Sequence, residues 1–407
     1  MIKSYKIRLL PDAIQEEKLW KHVHAARAVW NWGLAYEMQL YKNGEKHINA
    51  LALKRVLTQV KKTEEFKWLN DVSHQTLSTV ILDLGKTYDK FFSLKPFKYP
   101  QKTINRAKNK GVKLTYYDLE NHPKFKSKKD KAYRFPIRAS ELYFSDMCVN
   151  IEKIGKVNYQ TNYNLPRGRQ ACKISNPRVK YENGKWILGF GIEGEKQTHR
   201  LTDKSLGIDL GIKELAVASF GGEKFVIHNI NKSSSMQKLE HKKKHLQRSI
   251  SRKCKVNGSY EKTRGIVKIE RILQKTQSRL TNKRKNHTHQ ASHSLVSMLP
   301  RVVVMENLSV RDMQKNKHLA KAVQEQSFYE FIRQMKYKCE WNGIEFIQVN
   351  RWYPSSKTCS KCGTIKHNLK LKDRMFMCDD CGLVIDRDFN AAQNLEKYGL
   401  LQLKRSA

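Results

Sequence analysis

The sequence predicts a multidomain α+β protein: a β-domain interrupted by helices, then an α/β sheet that carries a four-cysteine insert. Three observations predict it. Residues 5–10, YKIRLL, alternate like a strand and stop at Pro11, while strand-like patterning resumes only at about residue 134. Strands and helices alternate beyond residue 201. Two Cys-x2-Cys pairs, Cys359/Cys362 and Cys378/Cys381, stand near the C-terminus with fifteen residues between them. A chain of 407 residues is long enough for two to four domains and a substantial core.

After Pro11, Leu19, Val23, Ala26, Val29 and Trp30 recur near helical spacing. A second helix is predicted from about Asn70 to Phe92, with Leu77, Val80, Ile81, Leu84 and Tyr88 on one face. Residues 93–135 read as irregular and strongly basic. In HPKFKSKKDKAYRFP, lysines that include Lys124, Lys126, Lys128 and Lys129 interleave with Phe125, Tyr133 and Phe135. That pattern suits contact with nucleic-acid backbone and bases, and equally an exposed loop whose lysine stems cover a few rings. Strands follow from about 134 to 197, with an Asn183-Gly184 hairpin signal. The early strand and these later ones form one interrupted β-domain.

Residues 232–286 are rich in lysine and arginine, with sparse apolar positions at Leu239, Leu246, Ile250, Ile266, Ile269 and Ile272. They predict a long helical hairpin, either a solvated surface or one laid against a nucleic-acid duplex. A helix over 287–298, a break at Pro300, the strand RVVVMEN, a helix over 326–341, an Asn342-Gly343 turn and the strand IEFIQVN complete the α/β layer.

Lysine and arginine number 79 against 38 acids, a formal charge of +41. Such a surplus repels itself and calls for a polyanion, although a merely supercharged soluble protein would share it. No apolar run approaches bilayer length, and the N-terminus has no secretory pattern, so an intracellular chain without a membrane partner is expected. Cys148, Cys172, Cys254 and Cys339 are scattered singly, which fits a reducing compartment and no disulfide framework. Nucleic acid is the leading partner.

Two motifs are decoys. GFGIEG, Gly189 to Gly194, has the dinucleotide-fingerprint spacing but ends an alternating strand, with no helix starting inside it. The GKT at Gly85 lacks the earlier glycine of a phosphate loop and sits in the middle of a helical pattern.

The cysteine pairs have the spacing of a four-thiolate zinc site, with iron as the rival metal. Gly363 and Gly382 each follow a pair, where the chain must turn tightly around bound sulfur. Four thiolates fill a tetrahedral shell, so such a site is structural. Binding would supply on the order of 10 kcal/mol of local folding energy to a segment short of core.

The second constellation is acidic. Asp209 lies inside the apolar strand of SLGIDLG, Glu306 follows three valines, and Asp388 opens the helix pattern DRDFNAAQNL. Each has an ordinary reading alone: a turn residue, a strand end, a helix cap. Together, in the order strand-Asp, strand-Glu, helix-Asp, they outline an RNase H-like nuclease core able to hold two divalent cations. GIDLG also fits the opening strand of a sugar-kinase-type ATPase, but the second Asp-Gly-Gly phosphate loop of that fold is missing.

Taken in order, YKIRLLP with AARAVWNWGL, PKFKSKKDKAYRFP, GIDLGIKELAVAS, VVVMENLSV, WYPSSKTCSKCG, CDDCG and DRDFNAAQNL resemble the TnpB proteins of bacterial and archaeal insertion sequences, relatives of the miniature type V CRISPR effectors. The resemblance implies an RNA-guided DNA endonuclease. Its parts would be an interrupted wedge-type β-barrel (1–11 and 120–200), a helical recognition domain (12–119), a RuvC-like nuclease domain (201–355 and 385–407) and a zinc-ribbon insert that binds target nucleic acid (356–384). It maps Asp209, Glu306 and Asp388 onto the catalytic triad. Asp386 is the competitor for the third place, and Asp388 is preferred because it directly precedes the Phe-Asn-Ala-Ala helix start. His74, Gln75 and Ser78 are the candidates for reading the duplex beside the target. The implied cofactors are one structural Zn²⁺ and two catalytic Mg²⁺. The implied partners are a transposon-encoded guide RNA and double-stranded DNA with a short adjacent motif. The expected setting is the prokaryotic cytoplasm at the nucleoid, with a monomer favoured. Size favours TnpB over a compact CRISPR effector. Two alternatives are a catalytically silent RNA-guided regulator and an unguided nuclease or transposase accessory protein.

Overall fold

A computed structural model of the chain describes residues 2–94, 96–128, 133–168, 172–194, 199–256, 262–370 and 373–406. It divides into two compact units, Met1–Gly194 and Glu195–Ala407.

The first unit opens with β1 (Ile2–Leu10), which Pro11 ends. Asp12 caps α1 (Ala13–Lys42) through a reciprocal bond with Gln15, so the strand-to-helix switch is written in four residues. The apolar face read from the sequence, Leu19 through Trp30, is buried. α2 (Ala50–Val60) and α3 (His74–Ser93) follow, capped by Asn49 and Ser73. A β-carbon on Gly85 of α3 would stand 2.7 Å from that of Ala50. The glycine of the decoy GKT therefore permits two helices to touch, and cradles no phosphate.

Residues 93–135 are not wholly irregular: α4 (Gln101–Lys110) lies within them, stopped by Gly111 in the left-handed region. Its only apolar residues, Ile104 and Ala107, are half-buried and too few to make a period that a sequence reading detects. The strands β2 (Arg134–Pro136), β3 (Tyr143–Phe144), β4 (Cys148–Ile151), β5 (Gly155–Gln160), β6 (Ile174–Glu182) and β7 (Lys185–Glu193) join β1 in one sheet of order β2-β6-β7-β1-β5-β4-β3. The strand from the start of the chain thus sits mid-sheet, antiparallel to β5 and β7, and the β-domain is interrupted as expected. The expected closed barrel is not found among the described residues. Its would-be closing edges, β2 and β3, are three and two residues long and too short to pair into a seam. Strand and helix residues such as Ile7, Leu19, Phe135 and Leu188 share one core, each contributing roughly 1.5–3 kcal/mol of burial.

The second unit begins with the meander β8 (Ser205–Leu210), β9 (Ala216–Phe220) and β10 (Glu223–Ile227). The helical hairpin α5 (Ser234–Val256) and α6 (Arg264–Val296) follows. The sequence suggested a separate helix over 287–298, but α6 is continuous. No Gly or Pro interrupts residues 280–296, and the change there from basic to apolar marks where α6 leaves solvent and buries Ala291, Leu295 and Val296. Then come β11 (Val302–Met305), α7 (Val310–Lys315), α8 (Ala320–Gln326), α9 (Phe328–Trp341) and β12 (Glu345–Gln348). The sheet order is β10-β9-β8-β11-β12, with β8, β11 and β12 parallel. A small hairpin, β13 (Met375–Met377) with β14 (Val384–Asp386), runs directly into α10 (Arg387–Ser406).

Candidate active site and metal centre

The parallel pairing of β8 with β11 sets Ile208 opposite Met305, so the next residues, Asp209 and Glu306, come side by side at the strand ends. Helix α10 lies over them. It approaches β8 so closely that a β-carbon on Gly207 would collide with the α10 backbone at Ala392 and Glu396, and one on Gly399 with Ser205. Two glycines therefore permit the contact that brings Asp388, in the first turn of α10, over the strand acids.

Burial pushes Asp209 well above the usual carboxylate range, and the charges of Glu306 and Asp388 push it further, against a smaller opposing effect of Arg387. Burial also raises Glu306, which is hydrogen-bonded to Asp209 and accepts from the Ser355 hydroxyl. Two carboxyl groups joined this way share a proton in the absence of a cation. Asp388 stands 3.4 Å from the Arg387 guanidinium. Three acids at one place, two of them reluctant to ionise, form the oxygen-rich environment that hard divalent cations satisfy. A cleft of about 260 Å³ opens beside Glu306, lined also by Asn350, Arg351 and Tyr353.

Asp386 does different work. Its carboxylate accepts the backbone N–H of Phe389 at 2.9 Å and lies 3.5 Å from Lys224, which makes it the cap of α10.

The sulfur atoms of Cys359, Cys362, Cys378 and Cys381 all lie within 4.8 Å of one another. Gly363 and Gly382 adopt φ of +85° and +68°, the left-handed turn that the spacing anticipated. The Thr364 hydroxyl and amide lower the Cys362 thiol to about 6, toward the thiolate that binds metal. Among the described residues, Phe376 and the two buried cysteines, with Leu369, Cys381, Leu383 and Ile385, make the ribbon's apolar core. So small a core fits a fold closed by a tetrahedral thiolate-bound ion.

Sequence reasoning missed Ser355, Asn390 and Asn394. The amides of Asn390 and Asn394 face the ribbon base, and both residues are buried. Two asparagines four apart inside a helix are poor helix formers, and that was the available signal. Glu396 was also missed: it accepts from Ser219, Gly221 and Gly222 and fastens α10 to the β9–β10 turn.

Of the residues proposed for nucleic-acid contact, His74 is exposed at the start of α3, Gln75 is half-buried and Ser78 is buried. Lys124 and Lys128 are exposed. Lys126 lies 3.4 Å from the centre of the Trp30 ring, and burial lowers it to about 8. Asn31 bonds the Lys126 backbone at both N–H and C=O, so this basic segment is fastened to α1. Lys129 lies outside the described residues.

Three family models match the chain: a helix-turn-helix domain over residues 1–46, a probable transposase over 179–317 and a Cas12f1-like TNB domain over 328–395. The first description does not match the geometry, since residues 2–42 are one strand and one long helix. A putative RNA-guided DNA endonuclease of Streptomyces pristinaespiralis is 28% identical over 399 residues, covering 98% of this chain and 89% of that protein. The putative RNA-guided DNA endonuclease InsQ of Escherichia coli K12 is 27% identical, covering 98% and 92%. Among solved structures, Cas12f1 in its complex with guide RNA and target DNA superposes with a TM-score of 0.53 at 15% identity, over 97% of this chain and 98% of that one. The fold is thus that of the compact Cas12-like proteins. Within that class, the chain is similar over nearly its whole length to proteins named as RNA-guided DNA endonucleases, and over residues 179–317 to the probable-transposase model.

Proposed function

We propose that this protein is an RNA-guided DNA endonuclease that binds a transposon-encoded guide RNA and cuts DNA beside a short adjacent motif. The observation that carries the reading is the hydrogen-bonded Asp209–Glu306 pair with Asp388 close enough to act on both. The relatives that match nearly end to end are named for that activity.

In this reading residues 201–355 and 385–407 form a RuvC-like nuclease domain, 356–384 the zinc ribbon, 12–119 a recognition domain, and 1–11 with 120–200 a wedge. Asp209, Glu306 and Asp388 hold two Mg²⁺ ions, and Cys359, Cys362, Cys378 and Cys381 hold one structural Zn²⁺. Mg²⁺ held there would supply positive charge for activating a water and for stabilising a leaving phosphodiester oxygen. The chain supplies the geometry: the Ser355 hydroxyl fixes the Glu306 carboxylate, Gly207 lets Asp388 approach, and a cleft opens beside Glu306. Lys124 and Lys128, with other exposed basic residues, neutralise phosphates of the guide and its heteroduplex, while base pairing supplies sequence. His74 and Gln75 remain candidates for reading the adjacent motif, at the exposed start of α3. The protein acts as a monomer at the nucleoid in the prokaryotic cytoplasm. No helix among the described residues is long and apolar enough to cross a membrane.

The test is to purify the protein from cells that carry its element and sequence the RNA that accompanies it. A discrete structured RNA ending in variable sequence is expected. Random RNA, or none, would favour an unguided nuclease.

A further inference from the structure

We propose that Asn390 and Asn394 are positioning residues that join the base of the four-cysteine ribbon to the acidic site, so that metal in the ribbon strengthens divalent-cation binding at Asp209, Glu306 and Asp388. The proposal rests on the nuclease reading of those acids.

The contacts form one continuous strap. The Asn390 side chain accepts the N–H of Ser360 at 2.9 Å and donates to the carbonyl of Thr358 at 2.7 Å. It therefore grips the chain on both sides of Cys359, one of the four thiols. One helical turn on, Asn394 donates to the same Thr358 carbonyl at 2.6 Å and to the Ser355 carbonyl at 2.7 Å. The Ser355 hydroxyl donates in turn to Glu306. Asp388 lies two residues before Asn390 in the same helix, and that helix is seated on β8 at Gly207. A sulfur ligand, Glu306 and the helix carrying Asp388 are thus linked through two side-chain amides and one hydroxyl, and Glu306 is bonded in turn to Asp209.

The physical reason for coupling lies in what else holds the strap. Residues 355–360 belong to no helix or strand and are otherwise held by turn bonds to Pro354, an isolated bridge between Thr358 and Ile365, and Lys397 on the Ser360 carbonyl; both asparagines are buried, at 0% and 4% exposure. Thiolate ligation at Cys359 fixes the strap from the ribbon side. Without it, the Thr358 and Ser360 groups keep only those turn and bridge contacts and shift more easily, and buried amides cannot turn to water for replacement bonds. The Ser355 hydroxyl then no longer orients Glu306. Groups that orient a metal-binding carboxylate in this way are typically worth about 10–100-fold in metal affinity.

The experiment uses full-length protein with Co²⁺ in the ribbon, whose thiolate absorption reports occupancy there. Mn²⁺ bound at the acids is counted by the loss of the free-ion electron paramagnetic resonance signal, and assigned by its absence in Asp209→Ala. Two changes should each weaken Mn²⁺ binding about 10–100-fold: Cys362→Ser, and Asn394→Ala with the cobalt band intact. In Asn394→Ala, emptying the ribbon should add little more, because the link is already cut. If Asn394→Ala loses its helical signal, Ser355→Ala replaces it, with recovery expected in Ser355→Thr. Mn²⁺ affinity that ignores ribbon occupancy, or effects of the two variants that simply add, would overturn the coupling while leaving the nuclease reading intact. No Asp209-dependent Mn²⁺ binding at all would overturn both.

Discussion

Asp386 and Asp388 stand two residues apart, yet one caps a helix and the other joins an acid cluster. The difference follows from α10, where Asp386 precedes the first turn and meets the Phe389 amide, while Asp388 faces the ends of β8 and β11. Asp386→Ala should cost roughly 1 kcal/mol as a lost cap and retain metal-dependent cleavage. Asp388→Ala should abolish cleavage with the fold intact. Thermal melts and a plasmid-cutting assay on the two variants separate the roles, and the reverse outcome would transfer the third acid to Asp386. Asp209 carries a pH prediction. Its pKa is raised in the folded chain, so the native state binds that proton more tightly than the unfolded one. This residue's contribution therefore declines as pH rises above about 4, the ordinary aspartate value. In Mg²⁺-free buffer at neutral pH, Asp209→Asn should melt above the parent protein, and the gap should close as pH falls toward about 4. Equal midpoints at neutral pH would mean that neither burial nor the neighbouring acids strain the Asp209 carboxylate.

At the scale of elements, the close seat of α10 on β8 decides the site. Gly207→Ala places a methyl group against the α10 backbone, where no flexible side chain can yield. It should destabilise the protein by roughly 1–3 kcal/mol and depress cleavage more than a comparable loss of stability elsewhere. Calorimetry with a cleavage assay checks this; an unchanged cleavage rate would show that the helix can shift without moving Asp388. Much of this architecture was legible. Phe389, Ala392 and Leu395 marked one face of α10, of which Ala392 and Leu395 are buried and Phe389 half-buried; the valines of RVVVMEN announced β11, and the paired cysteines announced the ribbon. Other parts were not legible, for identifiable reasons. α4 has only two apolar residues, Ile104 and Ala107, too few to set a period. The strap of Asn390 and Asn394 depends on amides meeting an irregular loop, which leaves no spacing rule in the sequence. The continuity of α6 was hidden because composition changes where its surroundings change, while its backbone does not.

Across the whole molecule, the charge of +41 and the order strand-Asp, strand-Glu, helix-Asp were readable from the sequence alone, because both are properties of the chain rather than of its packing. The return of the first strand to the middle of a seven-stranded sheet was half-legible: the interruption showed, but the open edges at β2 and β3 did not, since closure depends on the pairing of distant short strands. A charge of this size predicts RNA affinity that falls steeply and linearly with the logarithm of salt concentration. Filter binding across a salt series tests it, and a flat response would point to recognition that does not depend on phosphates. The central claim is that base pairing by a bound RNA directs the acids to DNA. It is tested most directly by replacing the variable end of the co-purified RNA and mapping cuts on plasmids that match the old or the new sequence, in Mg²⁺. Cleavage should move to the new match and vanish in Asp209→Ala. Cutting that stays in place or proceeds without RNA would contradict the account.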